Sequence, residues 1–519
     1  MPLSVDSPVI KLHPDDNIGI ARRSVGQGVE LRFDDGRLTV RAAEPIELGH
    51  KMALRALPKG APVRKYGQLI GFATEDIAEG EWIHSHNLAV AELSLDYAFC
   101  TEIPAPPKPI VGRTFQGFRR PDGRVATRNY LGVVSTVNCS AHTSKHVAAR
   151  LNQAMFDEFE NVDGVIPIIH KAGCAMQYGG EDHKQLARTL AGFAQHANIG
   201  AYLVIGLGCE TGNAAFLTDT QHLTQLQIPG RKADPLPLVM NIQNEGGVRK
   251  TIDRAVGVLK EMLPEINKVR RESIPVSEII LGTNCGGSDG NSGVTANPAL
   301  GIASDMLVAA GGTTVLAETT EIYGAEHTLT RRAVRREVGE KLLERIEWWK
   351  WYTSVFGAQI DNNPSPGNKK GGLTTIYEKS LGAVAKTGST ALRAVYDYAE
   401  KITEKGFCIM DTPGYDPVSV TGLVAGGCNV IVFTTGRGSC FGCKPSPSIK
   451  VATNTPMYER MIDDMDINAG RILDGASLEE VGEEIFEKII AVASGEKTKS
   501  EAQGIGDEEF APWSIGPVL

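Results

Sequence analysis

The sequence predicts an α/β protein in which a small N-terminal β domain precedes a large α/β region with mostly parallel sheets. Two observations carry this. The first hundred residues hold short alternating runs, Val9-Ile-Lys-Leu-His, Val29-Glu-Leu-Arg-Phe and Leu38-Thr-Val-Arg, punctuated by Gly26, Gly28, Gly49, Gly60 and Gly80. Such runs are short strands joined by tight turns. Beyond Gly117, apolar strand-like runs alternate with segments of helical period, which implies a parallel sheet covered on both faces.

Taken in order, residues 1–100 form the β domain. Four prolines between Ile103 and Ile110 make residues 101–117 an extended, fairly stiff linker. Residues 118–362 follow as an α/β catalytic domain. Its strands are expected at Tyr130–Val137, Ala201–Leu207, Ile279–Thr283 and Thr313–Ala317, with helices around His146–Asn152, Leu186–Phe193 and Ile302–Val308. The stretch Asn362-Asn-Pro-Ser-Pro-Gly-Asn-Lys-Lys-Gly-Gly372 reads as a break, so residues 363–519 form a C-terminal α/β portion. Strands are expected there at Gly406–Asp411 and Asn429–Thr435, and a packing helix at Leu478–Ser494.

The 519 residues carry 53 Lys+Arg against 62 Asp+Glu, a net charge of −9. No basic run is long enough to track a nucleic acid or an anionic membrane. The most apolar stretches fall short of the roughly 18–20 residues that cross a bilayer. The N-terminal residues lack the pattern of a signal peptide, so a cytoplasmic protein is expected, with a small molecule as partner and homo-oligomerisation left open. The nine cysteines then read as thiols, metal ligands or small core residues rather than disulfides.

Four of them, Cys139, Cys174, Cys209 and Cys285, fall just after predicted strands, and His170 precedes Cys174 by four residues. Ligands of open α/β sheets bind at the carboxyl ends of the strands, and thiolates with imidazole suit iron or zinc. Packing at crowded strand ends is the competing reading. His84-Ser85-His86, at a strand or its end, offers two imidazoles on one side as a ligand platform or a general-base pair. Cys440-Phe-Gly-Cys443 is a lone C-x-x-C. The glycine-rich loops around Ser288, Ser365, Lys369, Thr435 and Arg437 offer donors to a carboxylate or to hydroxyls, and nucleotide motifs are absent.

Ile10-Lys-Leu-His-Pro-Asp-Asp-Asn17, Lys65-Tyr-Gly-Gln-Leu-Ile-Gly71, Ile205-Gly-Leu-Gly-Cys-Glu210, Cys285-Gly-Gly-Ser-Asp289, Gly293-Val-Thr-Ala-Asn-Pro298, Asn363 to Gly372 and Phe433-Thr-Thr-Gly-Arg-Gly438 resemble the altronate/galactarate dehydratases over nearly the whole chain. His84-Ser-His-Asn87, Glu181-Asp-His183 and Thr313 to Glu326 are more similar to the altronate branch. Gly438-Ser-Cys-Phe-Gly-Cys-Lys-Pro departs from the Gly-Thr-Pro-Tyr-Gly of other members, which leaves the exact sugar acid open.

The resemblance implies an N-terminal β-clip (SAF-type) domain and loss of water from D-altronate to give 2-dehydro-3-deoxy-D-gluconate. It also implies dependence on Fe2+, with Mn2+ and an iron–sulfur cluster as open alternatives. Galactarate or another 2-hydroxy acid is the alternative substrate; binding of a sugar acid or metal without turnover is the non-enzymatic one. The expected metal ligands are His170, Cys174, Cys209 and Cys285. His84, His86 and Lys369 are the expected catalytic groups. His13, Lys65, Tyr66, Ser288, Asp289, Asn297, Ser365, Asn368, Thr435 and Arg437 are the expected substrate contacts.

Overall fold

The computed structural model describes residues 7–33, 36–91, 97–151, 156–224 and 237–517. In the N-terminal module, strands Val9–Ile10, Ile18–Ala21, Lys51–Ala53 and Trp82–Ile83 make one antiparallel sheet, and Pro62–Lys65, Gln68–Ala73 and Leu88–Ala89 make another. Alternation sends Val63, Ile70 and Ile83 inward, and the resulting core is completed by Val294 and Leu473 from far along the chain. The turn Tyr66-Gly67 has both residues at positive φ, 60° and 71°, as a two-residue hairpin demands. The buried Asp16 carboxylate holds it by accepting both turn amides, at 3.2 and 2.7 Å.

Strand Thr114–Arg119 pairs antiparallel with Arg271–Pro275, so the chain enters and leaves the middle domain side by side. That domain is a parallel sheet in the order Gly164–Ile168, Tyr130–Ser135, Ile199–Gly206, Val239–Asn241. Helices Asn138–Arg150 and Val248–Ile266 bury Val147, Ile252, Ala255 and Leu259 on one face. Helix Glu181–Ala194 buries Leu186, Leu190 and Phe193 on the other.

The last domain is a seven-stranded sheet in the order Leu392–Tyr396, Gly406–Met410, Thr313–Leu316, Ile280–Cys285, Val430–Thr435, Ser448–Ala452, Ile467–Asn468, with all neighbours parallel. The expected boundary at 362–363 is therefore corrected, because this sheet draws strands from both sides of it. The Pro/Gly-rich stretch imitates a linker in composition, but it is a docking loop for the N-terminal module. Helices Ala296–Ala309 and Leu478–Ala493 cover one face of the sheet. Helix Asp416–Gly426 covers the other and shares its core with Glu181–Ala194. At that crossing a Cβ on Gly192 would lie 2.3 Å from the Ala425 carbonyl oxygen, so only glycine permits the approach.

From Ile280–Cys285 the chain steps outward to Thr313–Leu316 and later returns to the opposite side as Val430–Thr435. This reversal opens a crevice at the carboxyl end of Ile280–Cys285. Among the described residues no helix is long and apolar enough to cross a membrane.

Candidate active site

The crevice collects five ionisable side chains from separate elements. Cys285 ends its strand. Glu318 lies two residues past Thr313–Leu316, and Glu321 closes the turn Thr319–Glu321. Lys379 comes from helix Ile376–Val384 and Lys386 from the turn Ala385–Thr387 that continues it. All five are buried. Lys386 Nζ donates to Cys285 Sγ and to Glu318 Oε2, both at 3.0 Å. Lys379 Nζ donates to Glu321 and, at 3.0 Å, to Asn363 Oδ1.

A sixth group, Asp416, opens helix Asp416–Gly426 and accepts from Asn284 Nδ2 at 3.2 Å. It is only partly covered. Glycine at 286 keeps room for it, since a Cβ there would lie 2.2 Å from Asp416 Oδ2.

Burial sets the electrostatics. It pushes the Asp416 carboxyl up to about 8, helped by Glu318 and Glu321. It also raises Glu318, with Lys386 opposing. The Cys285 thiol is pushed up to about 12 by burial and then by Glu318. Burial works against the Lys386 charge, but Cys285 and Glu318 outweigh it and hold the ammonium above its ordinary range.

Glu318 has its backbone in the left-handed region at φ 66°, a conformation that costs a non-glycine residue about 1–3 kcal/mol and collects at functional sites. Its Oε1 is buried without a hydrogen-bond partner, while Oε2 takes the Cys285 amide at 3.0 Å and Lys386. An unpaired buried carboxylate oxygen is available to a substrate proton.

Cys285, Glu318 and Glu321 are also the one group of His, Cys, Asp and Glu among the described residues whose ligand atoms lie within 4.8 Å of one another. The donor types suit a divalent cation. However, two carboxylates facing two ammoniums and a neutral thiol are already balanced in charge.

The N-terminal module seals the crevice from above. Lys51 and Lys65 converge on Glu378, with Lys51 Nζ at 3.0 and 2.8 Å and Lys65 Nζ at 2.8 Å. Burial opposes the Glu378 charge, but Lys51 and Lys65 overcome it and hold the carboxylate well below its ordinary range. His84 stacks on both His50 and Trp82, at 5.4 and 4.9 Å, in a triangle of rings whose third side is His50–Trp82 at 5.6 Å. Its Nε2 bonds the Lys369 carbonyl at 2.8 Å; that of His50 bonds the Lys370 carbonyl at 3.3 Å. Burial and nearby Lys51 lower the basicity of His84.

The expected metal quartet does not assemble. His170 is buried with Nε2 on the Ser135 carbonyl at 2.9 Å and Nδ1 accepting the Ala172 amide at 3.2 Å, so neither nitrogen is left for a metal. Cys174 and Cys209 stand at the strand ends of the middle sheet, apart from Cys285 on the last one.

Several expected substrate contacts are spent on structure. Lys65 serves Glu378. Asp289 accepts from Thr453, Asn454, Ser292 and Asn291. Asn297 links Thr434 to Gly382. Ser365 and Asn368 form a capping box on helix Pro366–Lys370, and Thr435 accepts the Gly438 and Ser439 amides. His13 is exposed and bonds within its own loop to Asp15. Arg437 is exposed beside the Gly287 turn, with its amide on the Gly287 carbonyl. Lys369 offers His84 its carbonyl.

Ser288 and Tyr66 remain. They line a small cavity of about 10 Å3 together with Cys285 and Lys379, and Ser288 Oγ is buried without a partner. His86 is exposed against Trp82 at 5.1 Å. Of the loop that departs from other members, Phe441 stacks on Phe433 at 5.0 Å, and Cys440 and Cys443 are free thiols.

Two carboxyl groups raised by burial, Glu318 and Asp416, beside the ammoniums of Lys379 and Lys386 at a strand-end crevice suit proton transfer and expulsion of a leaving group. Comparison with known proteins gives the family. Residues 7–91 match the altronate/galactarate dehydratase SAF domain, 117–267 the D-galactarate dehydratase/altronate hydrolase second domain, and 276–518 the D-galactarate/altronate dehydratase C-terminal domain.

The chain is 38% identical over 517 residues to galactarate dehydratase (L-threo-forming) of Escherichia coli strain K12, covering 98% of this chain and 97% of that one. It is 36% identical over 513 residues to altronate dehydratase of Bacillus subtilis strain 168, covering 98% and 99%. The beta subunit of (2R)-sulfolactate sulfo-lyase of Chromohalobacter salexigens is 31% identical over 410 residues, 77% of this chain and 97% of that one. The chain belongs to the altronate/galactarate dehydratase family and is a hydro-lyase.

Proposed function

We propose that this enzyme removes water across C2 and C3 of a sugar acid, with D-altronate as substrate and 2-dehydro-3-deoxy-D-gluconate as product. The observation that carries this is the pairing of Glu318, whose Oε1 is buried and unpartnered, with Asp416, whose carboxyl is pushed up to about 8. Glu318 takes the C2 proton. The C–H electron pair becomes the C2–C3 double bond as the C3–O bond breaks, and protonated Asp416 gives its proton to the departing hydroxyl, which leaves as water. Lys379 and Lys386 face the negative charge that develops on the substrate carboxylate, and Ser288 offers a hydroxyl to the sugar chain. The enol then tautomerises to the 2-keto acid.

Fe2+, expected from the resemblance, would supply Lewis acidity toward an oxygen leaving group. Cys285, Glu318 and Glu321 supply one donor set of the right type. Mn2+ suits the two carboxylates of that set better than its sulfur.

The altronate assignment draws on the segments around His84, Glu181 and Thr313. A second reading, galactarate as substrate, draws on the 38% identity to the galactarate enzyme. Anaerobic turnover of both acids, with and without added ferrous iron and with detection of the 2-keto-3-deoxy product, tests both. Iron-dependent turnover of altronate alone is the expected result. Turnover of galactarate alone would replace the first reading by the second, and silence on both acids would overturn the dehydration of six-carbon sugar acids.

A further inference from the structure

The middle domain carries a second concentration of chemistry that the crevice does not use. Cys139, Cys174 and Cys209 follow three adjacent parallel strands, Tyr130–Ser135, Gly164–Ile168 and Ile199–Gly206. All three are free and exposed, whereas Cys285, Cys408, Cys428 and Cys443 are buried. Unmodified cysteine is among the most buried residue types, so three exposed thiols at one sheet end call for a reason.

The loops that bear them are tied together. The Asn138 amide donates to the Ala172 carbonyl at 3.0 Å and the Gly212 amide to the Gly173 carbonyl at 2.9 Å. Thr136 Oγ1 donates to Glu210 Oε1 at 2.6 Å. Each thiol is therefore one to three residues from a direct contact with a neighbouring loop. With about 3.8 Å between successive Cα atoms, these links hold the three Cα atoms within about 20–25 Å of one another at one end of the sheet.

Yet these thiols do not belong to any set of three His, Cys, Asp or Glu ligand atoms within 4.8 Å of one another among the described residues. A single ion bound at about 2.3 Å by three sulfurs needs a tighter set than this. A cluster of several irons bridges a wider one.

The backbone is shaped around the same points. Gly173 and Ala175 flank Cys174 at φ 96° and 56°, and Gly208 precedes Cys209 at φ 125°. Ala175 holds a left-handed conformation that its side chain disfavours. A Cβ at Gly173 would lie 2.3 Å from the Thr136 carbonyl oxygen, so glycine is what lets the Cys174 loop close onto the Cys139 loop. Cys139 sits in the first turn of helix Asn138–Arg150, which carries no acidic residue there; that end of a helix favours an anionic ligand. Gln243 Nε2 donates to Cys209 Sγ at 3.3 Å, as N–H groups do toward cluster-ligating sulfur. Beside Cys174 and Asn138 opens a cavity of about 990 Å3.

We propose that Cys139, Cys174 and Cys209 hold an iron–sulfur cluster of the four-iron type through three thiolates, with one iron left without a protein sulfur. On binding, each thiol gives up its proton and donates an electron pair to one iron of the preformed cluster, with no change in oxidation state. The cluster rests on the reading of this chain as a dehydratase only for its use in turnover. Its presence is read without substrate, so it fails separately from the sugar-acid assignment.

The test is purification of the full chain under anaerobic conditions from iron-replete cells, followed by visible absorption and assay of iron and acid-labile sulfide. Broad sulfide-to-iron absorption with about four irons and about four sulfides per chain is expected. Cys139→Ser, Cys174→Ser and Cys209→Ser should each lower cluster content by about tenfold or more while far-ultraviolet circular dichroism stays unchanged, since all three side chains are exposed. Cys285→Ser serves as the control that keeps the cluster. Wild-type protein free of iron and sulfide, iron without sulfide, or a cluster that survives in the triple variant would each overturn the proposal.

Discussion

Asp416→Asn separates the acid from its electrostatic cost. In the native chain the carboxyl titrates near 8 rather than at its ordinary 3.8, because burial and the carboxylates of Glu318 and Glu321 disfavour its charge. Between those two values the folded protein holds a proton that the unfolded chain has lost. Native stability therefore falls as pH rises from about 4 to about 8, and the loss is complete above that window.

At 1.36 kcal/mol per pH unit the ceiling of the effect is about 5–6 kcal/mol. Partial exposure of Asp416 to solvent screens the interaction, and about 2–3 kcal/mol is the expected gain for the neutral amide at pH 8.5. Asn284 can still donate to the amide oxygen at 416. The variant should unfold at higher temperature than the native enzyme at pH 8.5 and match it at pH 4, by calorimetry.

In the same variant kcat/KM should fall by about 10²–10⁴, the range for loss of a general acid. The native profile should drop about tenfold per pH unit above pH 8, and the variant should lack that limb. An Asp416→Asn enzyme that keeps the alkaline limb, or that is destabilised at pH 8.5, would refute the role given to this carboxyl.

Other outcomes follow from the same geometry. Glu378→Gln strands Lys51 and Lys65 in the interior and should cost about 3–5 kcal/mol, read as a lower thermal midpoint together with faster proteolysis of the 103–110 connector. Lys386→Met should lower kcat by about 10²-fold or more with little change in KM if its ammonium acts on charge developed in the transition state; an equal effect on both constants would contradict this. His84→Ala removes the stacking on His50 and Trp82 and the bond to the Lys369 carbonyl, and should destabilise by about 1–2 kcal/mol in denaturant titration. His86→Ala, exposed and in ring contact with Trp82, should change turnover by less than about threefold, and a larger loss would bring the N-terminal module into the chemistry.

The parallel-sheet architecture was legible because buried strands such as Ile199–Gly206 and Val430–Thr435 are continuous apolar runs. Short β-strands of the N-terminal module announced themselves by alternation and glycine turns. Cys285 could be found by asking which polar residues follow predicted strands, and the same question asked of Thr313–Leu316 would have reached Glu318 and Glu321. Those two carry little signal of their own, because acidic residues after a strand look like an ordinary solvated turn. Lys379 and Lys386 look like the wet face of a helix in one dimension, and their burial depends on a sheet assembled from strands a hundred residues apart. His170 misled for the opposite reason, since a histidine at a strand end gives no hint that backbone groups already hold both its nitrogens.

The contact between the N-terminal module and Glu378 also has a bearing on synthesis. Lys51 and Glu378 are 327 positions apart. At roughly 5–20 residues per second, the module leaves the ribosome about 16–65 s before its anionic partner exists. During that interval Lys51 and Lys65 lack the carboxylate that pairs with both in the finished fold. The strand pairs within the module close locally and need not wait. Seating it on the last domain is thus a late event in the life of the polypeptide.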